Sequence, residues 1–166
     1  MVFGINDYKF SIDVPYRAGT VLDHYSNNRV NSFNEENVVI PFGAPLVRGT
    51  RYNDALLPSA TGQEFVGVAI REIIDESVFD DNGDAGYKAG RYFARMTTGL
   101  IVVEIETDIA IGDPVFFRHT DNGGFTARKF RNDADGANAD EITTGAKWFK
   151  PGLASDGYAI LELNLP

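Results

Sequence analysis

Apolar residues in this chain fall in short runs broken by turn residues, and no run keeps the 3.6-residue period of an amphipathic helix. Two of the runs share a layout. Residues 38–50 read V-V-I-P-F-G-A-P-L-V-R-G-T, and residues 109–120 read I-A-I-G-D-P-V-F-F-R-H-T. Each is an apolar run, then Gly-x-Pro, then a second apolar run that ends in Arg with a Thr two residues on. The copies differ by one residue between Pro and Arg, so the repeat is approximate. Each predicts strand, tight turn, strand. Gly43 and Gly112 can take positive φ without a Cβ clash. Pro45 and Pro114 fix φ and offer no N–H, which places them at the first residue of the next strand or on an edge. These four residues are the expected structural turns, and they carry no chemistry.

The same reading extends along the chain. Residues 65–74 are apolar and rich in β-branched side chains, and residues 75–90 form an acidic, Gly-containing loop. Residues 92–96 and 100–106 flank Thr97-Thr98-Gly99 and predict a hairpin, with alternation over 103–106 setting one face inward. Residues 115–120 and 125–129 flank Asp121-Asn122-Gly123-Gly124, a strong hairpin signal. Residues 132–144 are polar and predict a surface loop or one short helix, while residues 158–165 alternate and predict a closing strand. Many short strands at regular spacing predict an all-β fold, a compact barrel or sandwich of antiparallel strands.

Residues 1–37 have a different texture. Single aromatics stand among Asn, Asp and Ser with no sustained period. We read 1–37 as an extended N-terminal arm or wrap and 38–166 as one β-domain. Such aromatic content argues against disorder. Tyr8, Phe10, Tyr16, Tyr25 and Phe33 are the expected interface residues, since aromatics without a local core gain from burial on a partner.

Composition narrows the function. The chain has 166 residues, a formal net charge of −9 and no cysteine, with arginine about twice as common as lysine. An acidic chain does not wrap around phosphates, so nucleic acid is not an expected partner. Without cysteine there are no disulfides, thiolate nucleophiles or zinc–thiolate sites. No apolar stretch approaches the ~20 residues of a membrane span, and the first ten residues lack the basic flank and apolar core of a secretion signal. A membrane partner and secretion by that route are therefore not expected.

Candidate chemistry is thin. His24 and His119 each lack a second histidine at helical spacing. Asp80-x-Asn82-x-Asp84 opens like a calcium loop, but the sixth position is Ala85 and the twelfth Arg91; the expected role is an acidic exposed turn, with a weaker cation site left open. Ala85-Gly86-Tyr87 begins like a dUTPase motif, yet Lys88 stands where that motif needs Asp, and the later Gly-x-Ile-Asp segment is missing. No Gly-x-Ser-x-Gly occurs. Nothing marks a particular carboxylate pair. Trp148, with Phe149, is expected in the core or as an interface anchor. No catalytic, cofactor-binding or metal residue is assigned.

The order and spacing of several pieces resemble the structural cement, or head decoration, proteins of tailed bacteriophages. The pieces are residues 40–50, Gly67-Val68-Ala69-Ile70-Arg71, Tyr87 with Gly90, Thr98-Gly99 before residues 100–103, residues 112–118, Gly145-Ala146-Lys147-Trp148, and Leu161-Glu162-Leu163-Asn164. The resemblance implies a non-enzymatic virion protein that binds the outer capsid surface and pins neighbouring major-capsid subunits together. It also implies a homo-oligomer, often a trimer, made in the host cytoplasm and needing no cofactor. Another virion part, such as a tail or baseplate module, and a small enzyme or ligand-binding barrel of dUTPase type remain as alternatives.

Overall fold

The structure, a computed structural model, describes residues 17–22, 28–72, 78–79, 83 and 85–166. Among them there is no helix. A seven-stranded sheet takes β1 (Asn28–Asn34), β3 (Pro45–Arg48), β4 (Asp54–Leu56), β5 (Phe65–Ala69), β8 (Tyr92–Glu104), β12 (Ala146–Lys150) and β13 (Tyr158–Asn164). A small sheet is built from β2 (Ile40–Pro41), β6 (Val78–Phe79) and β7 (Ala85–Tyr87), and another from β9 (Phe116–Arg118), β10 (Phe130–Arg131) and β11 (Ala139–Glu141). The large sheet runs β1-β4-β3-β5-β8-β13-β12, and β1 also pairs with β8. That extra pairing closes β1, β4, β3, β5 and β8 into a five-stranded barrel, with β13 and β12 continuing from the rim. Closure removes the free edges of those five strands. All pairs are antiparallel except β1–β4, where Phe33 faces Asp54.

Strand alternation feeds two cores. Along β3, Leu46 enters one cluster and Val47 the other; along β8, Phe93 enters one and Ala94 the other. The first cluster joins Ile40, Phe42, Leu46, Val66, Tyr87 and Phe93. The second is larger, and brings Val68, Met96, Ile101, Val103 and Leu161 against Phe117, Phe130 and Trp148 of the outer elements. Fully burying each such side chain is worth about 1.5–3 kcal/mol. Asp140 of β11 ties a second layer, the β10-β9-β11 sheet, to the barrel, accepting from Thr61 Oγ1 at 2.8 Å and from the Gly62 amide at 2.6 Å.

Several expected elements come out differently. Thr97-Thr98-Gly99 is no turn: β8 runs through it as one strand of 13 residues. Thr98 pairs with Asn28 on one edge and Asn164 on the other, and Gly99 pairs with Leu163. Ladder partners on both edges hold extended a segment whose composition suits a turn. The tip at Asn122 is a hairpin, but residues 125–129 are not its second strand. Asn122 and Phe125 exchange both backbone bonds at 3.0 and 2.9 Å, Arg118 bonds the backbones of Lys129 and Arg128 at 2.9 and 3.0 Å, and regular strand pairing begins at Phe130, opposite Phe117. Residues 132–144 contain no helix, and they supply β11 to the β9 ladder. The two Gly-x-Pro segments are turns between strands that pair elsewhere: β2 joins β7, whereas β3 joins β4 and β5. Pro45 is the first residue of β3, and Pro114 precedes β9 by two residues.

Candidate functional site

The described surface offers several faces for contact. Phe33 on β1 sits opposite Tyr92 on β8, and their rings meet edge-on with centroids 5.2 Å apart. Phe33 is half-buried beneath a Tyr92 ring that is 75% exposed. Tyr52, in the turn between β3 and β4, is 86% exposed. An aromatic ring held rigid by one neighbour and open to solvent on the other side is suited to anchoring a partner, because little rotamer freedom is left to lose. A second apolar patch lies where the backbones of Ile109 and Gly152 exchange hydrogen bonds at 2.8 and 3.2 Å. Ile111 and Leu153 project beside that junction and are both more than half exposed.

Beside Tyr52 an open cleft of about 530 Å³ is lined by Arg48, Arg95, Thr97 and Glu141. Its two arginines are already engaged. Arg48 donates to both carboxylate oxygens of Glu64, at 2.5 and 2.7 Å. Arg95 donates to Ser32 Oγ at 2.7 Å and to the Val66 carbonyl. Burial, and then the charge of Arg48, holds the Arg95 pKa below the ordinary arginine value.

Beneath the second layer lies a network of buried charges that sequence reasoning missed. Arg118 is 0% exposed and Glu106 is 2% exposed. Arg118 Nε donates to both Glu106 oxygens at 2.8 and 3.0 Å, Nη1 donates to the Thr120 carbonyl at 3.0 Å, and Nη2 donates to Asp135 Oδ2 at 2.6 Å. Arg131 reaches the same Glu106 at 2.6 Å and grips Asp133 at 3.0 and 2.5 Å. Both guanidinium groups lie over the Phe125 ring, at 5.5 and 6.0 Å. Burial works against the Arg118 charge, but Glu106 and Asp135 outweigh it and hold its pKa above the usual range. Asn122 and Arg118 hold the Asp135 carboxyl below the ordinary carboxylate range. This network braces β9, β10 and the segment between β10 and β11. Its residues come from positions 106, 118, 131, 133 and 135, and only Arg118 carried a signal, as the last residue of the repeated motif.

The sequence-predicted residues separate into groups. Tyr8, Phe10, Tyr16 and Tyr25 lie outside the described residues, as do His24, Asp80, Asn82 and Asp84. Phe33 is part of barrel strand β1, within the segment 1–37 that was expected to form an arm. Gly43 has φ +79° and is buried, and Gly112 has φ +93° and is exposed. Tyr87 is structural. Its hydroxyl donates to the Ile70 carbonyl at 2.6 Å, and its ring packs between Phe42 and Phe93; burial, then the charge of Glu72, raises its pKa. Trp148 is core, with Nε1 donating to the Pro114 carbonyl at 3.1 Å, while the neighbouring Phe149 is half exposed. His119 is buried, with Nδ1 2.8 Å from Thr120 Oγ1 and Nε2 3.6 Å from Asp140 Oδ1. Among the described residues no three His, Asp or Glu side chains converge to hold a metal ion.

The described residues define an all-β protein built on a closed five-stranded barrel that carries exposed aromatic side chains. The comparisons sharpen that class. The profile of a family described as structural cement protein matches residues 13–164, so the chain belongs to the structural cement protein family of phages. Among solved structures, a chain of "The capsid of Myoviridae Phage XM1" has the same fold at a TM-score of 0.65 and 16% identity, covering 94% of this chain and 98% of that one. No curated protein matches. The chain is thus a virion structural protein of the bacteriophage capsid.

Proposed function

We propose that this protein binds the outer surface of a phage head and cements neighbouring major-capsid subunits, without enzymatic activity and without a cofactor. The observation that carries this reading is the family match over nearly the whole chain, joined to the exposed aromatics at Tyr52 and Tyr92, the latter braced by Phe33. The mechanism is avidity: many modest contacts, repeated by the symmetry of the head, resist internal pressure though none is strong alone. A homotrimer made in the host cytoplasm fits that role, and a specific subunit interface would bury on the order of 1,200–2,000 Å². Neither nucleic acid nor membrane is a partner in this reading, in keeping with the net charge of −9.

Tyr8, Phe10, Tyr16 and Tyr25 are the anchoring contacts, on either side of residues 17–22, which pack against the body, and Phe33 with Tyr92 is the platform on the body. The body would then be the single domain expected over 38–166, with β1 added to it. Co-sedimentation of the purified protein with expanded heads that lack it tests the function. Binding at a fixed copy number per capsid subunit is expected; protein that stays in the supernatant at every concentration rules the reading out. Removing residues 1–16 is expected to leave a folded body that loses head binding or self-association.

A further inference from the structure

The hairpin tip carries a reactive pair. Asn122 and Phe125 lock the tip through their mutual backbone bonds, with Gly123 and Gly124 between them at φ +59° and +89°, the geometry of a type I′ turn. Asn122 is exposed, and the space beside Gly123 is open. Among the described residues, the Gly123 amide donates to no backbone carbonyl. A glycine that follows asparagine leaves its own nitrogen unhindered beside the asparagine side chain, and asparagine is among the thermolabile residues for this reason. The Asn122 amide is also engaged structurally: Nδ2 donates to Asp135 Oδ2 at 3.0 Å, the same oxygen that accepts Arg118 Nη2 at 2.6 Å.

We propose that Asn122–Gly123 is a self-modification site, where conversion of the asparagine to aspartate or isoaspartate releases the hairpin tip from Asp135. The Gly123 nitrogen gives its proton to solvent base and attacks Asn122 Cγ. The bond to Nδ2 breaks, and ammonia leaves with a proton from solvent. Water then opens the resulting cyclic imide at either carbonyl. The balance is one water consumed and one ammonia released, with no change in oxidation state. The product places a second carboxylate against Asp135 where an N–H donor stood. The two anions repel, and the bond that Asn122 supplies to Asp135 is lost. In the isoaspartate product the backbone also lengthens through the former side chain, which breaks the register of the Asn122–Phe125 bonds. Phe125 then loses its fixed place beneath Arg118 and Arg131. The tip thus acts as a slow one-way clock on the outer layer of the protein.

The test uses the full chain, held folded in mildly alkaline buffer and sampled over days by tryptic peptide mapping. The peptide spanning residues 119–128 is expected to gain the mass of an amide-to-acid exchange and to split into two chromatographic species. Asn122→Gln is expected to show neither change. The second Asn–Gly pair, Asn82–Gly83, falls on a different tryptic peptide and does not confuse the reading. An unchanged 119–128 peptide in the folded protein, over a time in which the free peptide converts fully, overturns the site. For the consequence, Asn122→Asp should melt below both wild type and Asn122→Gln; an Asp variant that melts with wild type overturns the release from Asp135.

Discussion

The two Gly-x-Pro segments share a sequence layout and a backbone turn, yet they bear opposite kinds of load. At the first, a Cβ on Gly43 would lie 2.6 Å from the Ala18 Cβ and 2.6 Å from the Gly19 amide nitrogen, so the turn is wedged into packed backbone. At the second, a Cβ on Gly112 would meet nothing within 4 Å. That turn is held by polar bonds instead: the Ala110 amide donates to Asp113 Oδ2 at 2.9 Å, and Asn132 Nδ2 donates to the same oxygen at 3.0 Å. The closing arginines are reversed. Arg48, after the packed turn, is 42% exposed and pairs with an exposed Glu64. Arg118, after the open turn, is fully enclosed with Glu106. A repeated motif therefore specifies a backbone conformation, and its neighbours decide where the energy lies.

Substitutions at matched positions can break or sharpen this contrast. The largest effect is expected at Arg118. Arg118→Ala takes from buried Glu106 one of its two arginine partners, leaving Arg131 at 2.6 Å; loss of a whole buried partner costs about 3–5 kcal/mol, and this change is expected toward the lower end of that range. Urea unfolding would read it directly, and a loss under 1 kcal/mol would show that water reaches Glu106. Next comes Gly43→Val, for which positive φ and overpacking each add about 1–3 kcal/mol. At Gly112→Val only the backbone strain remains, roughly 1–3 kcal/mol. Differential scanning calorimetry should rank the two; equal melting points would mean that the Ala18 segment yields freely.

The pH response has a definite sign. The folded Asp135 carboxyl titrates below its unfolded value, first through Asn122 and then through Arg118. Its contribution is present above the ordinary carboxylate pKa and is lost as pH falls through the folded one. Acid melts of Asn122→Ala and wild type should therefore converge at low pH, and a gap that stays constant into acid would refute the assignment. The smallest effect is expected at Arg48→Ala, about 0–1 kcal/mol, since its pair with Glu64 is solvated. Added salt should erase even that difference while leaving the cost at Arg118 intact.

What could be read in the chain follows from how local each cause is. The all-β class, the turns at Gly43 and Gly112, the tip at Asn122 and the closing strand rest on positive φ, proline geometry and two-residue alternation, which act within a few residues. The reading of Thr97-Thr98-Gly99 as a turn failed for the complementary reason. Local preference favoured a bend, and pairing with Asn28 and Asn164, distant in sequence, overrode it. Residues 132–144 looked like a surface loop because Asp133 and Asp135 are polar, and nothing local announces that they close on arginines from β9 and β10.

The amino-acid sequence by itself determined the repertoire of this protein: short strands, glycine-dependent turns, an acidic cysteine-free surface and the pattern that marks the structural cement family. Only the tertiary structure decided that β1 closes a five-stranded barrel with β8, that alternate residues of β3 and β8 serve two separate cores, and that Arg118 is buried while Arg48 is not. The physical reason is range. Backbone dihedral preferences are set by each residue and its immediate neighbours, whereas barrel closure and the burial of a charge depend on partners from distant parts of the chain, brought together only when the whole chain folds.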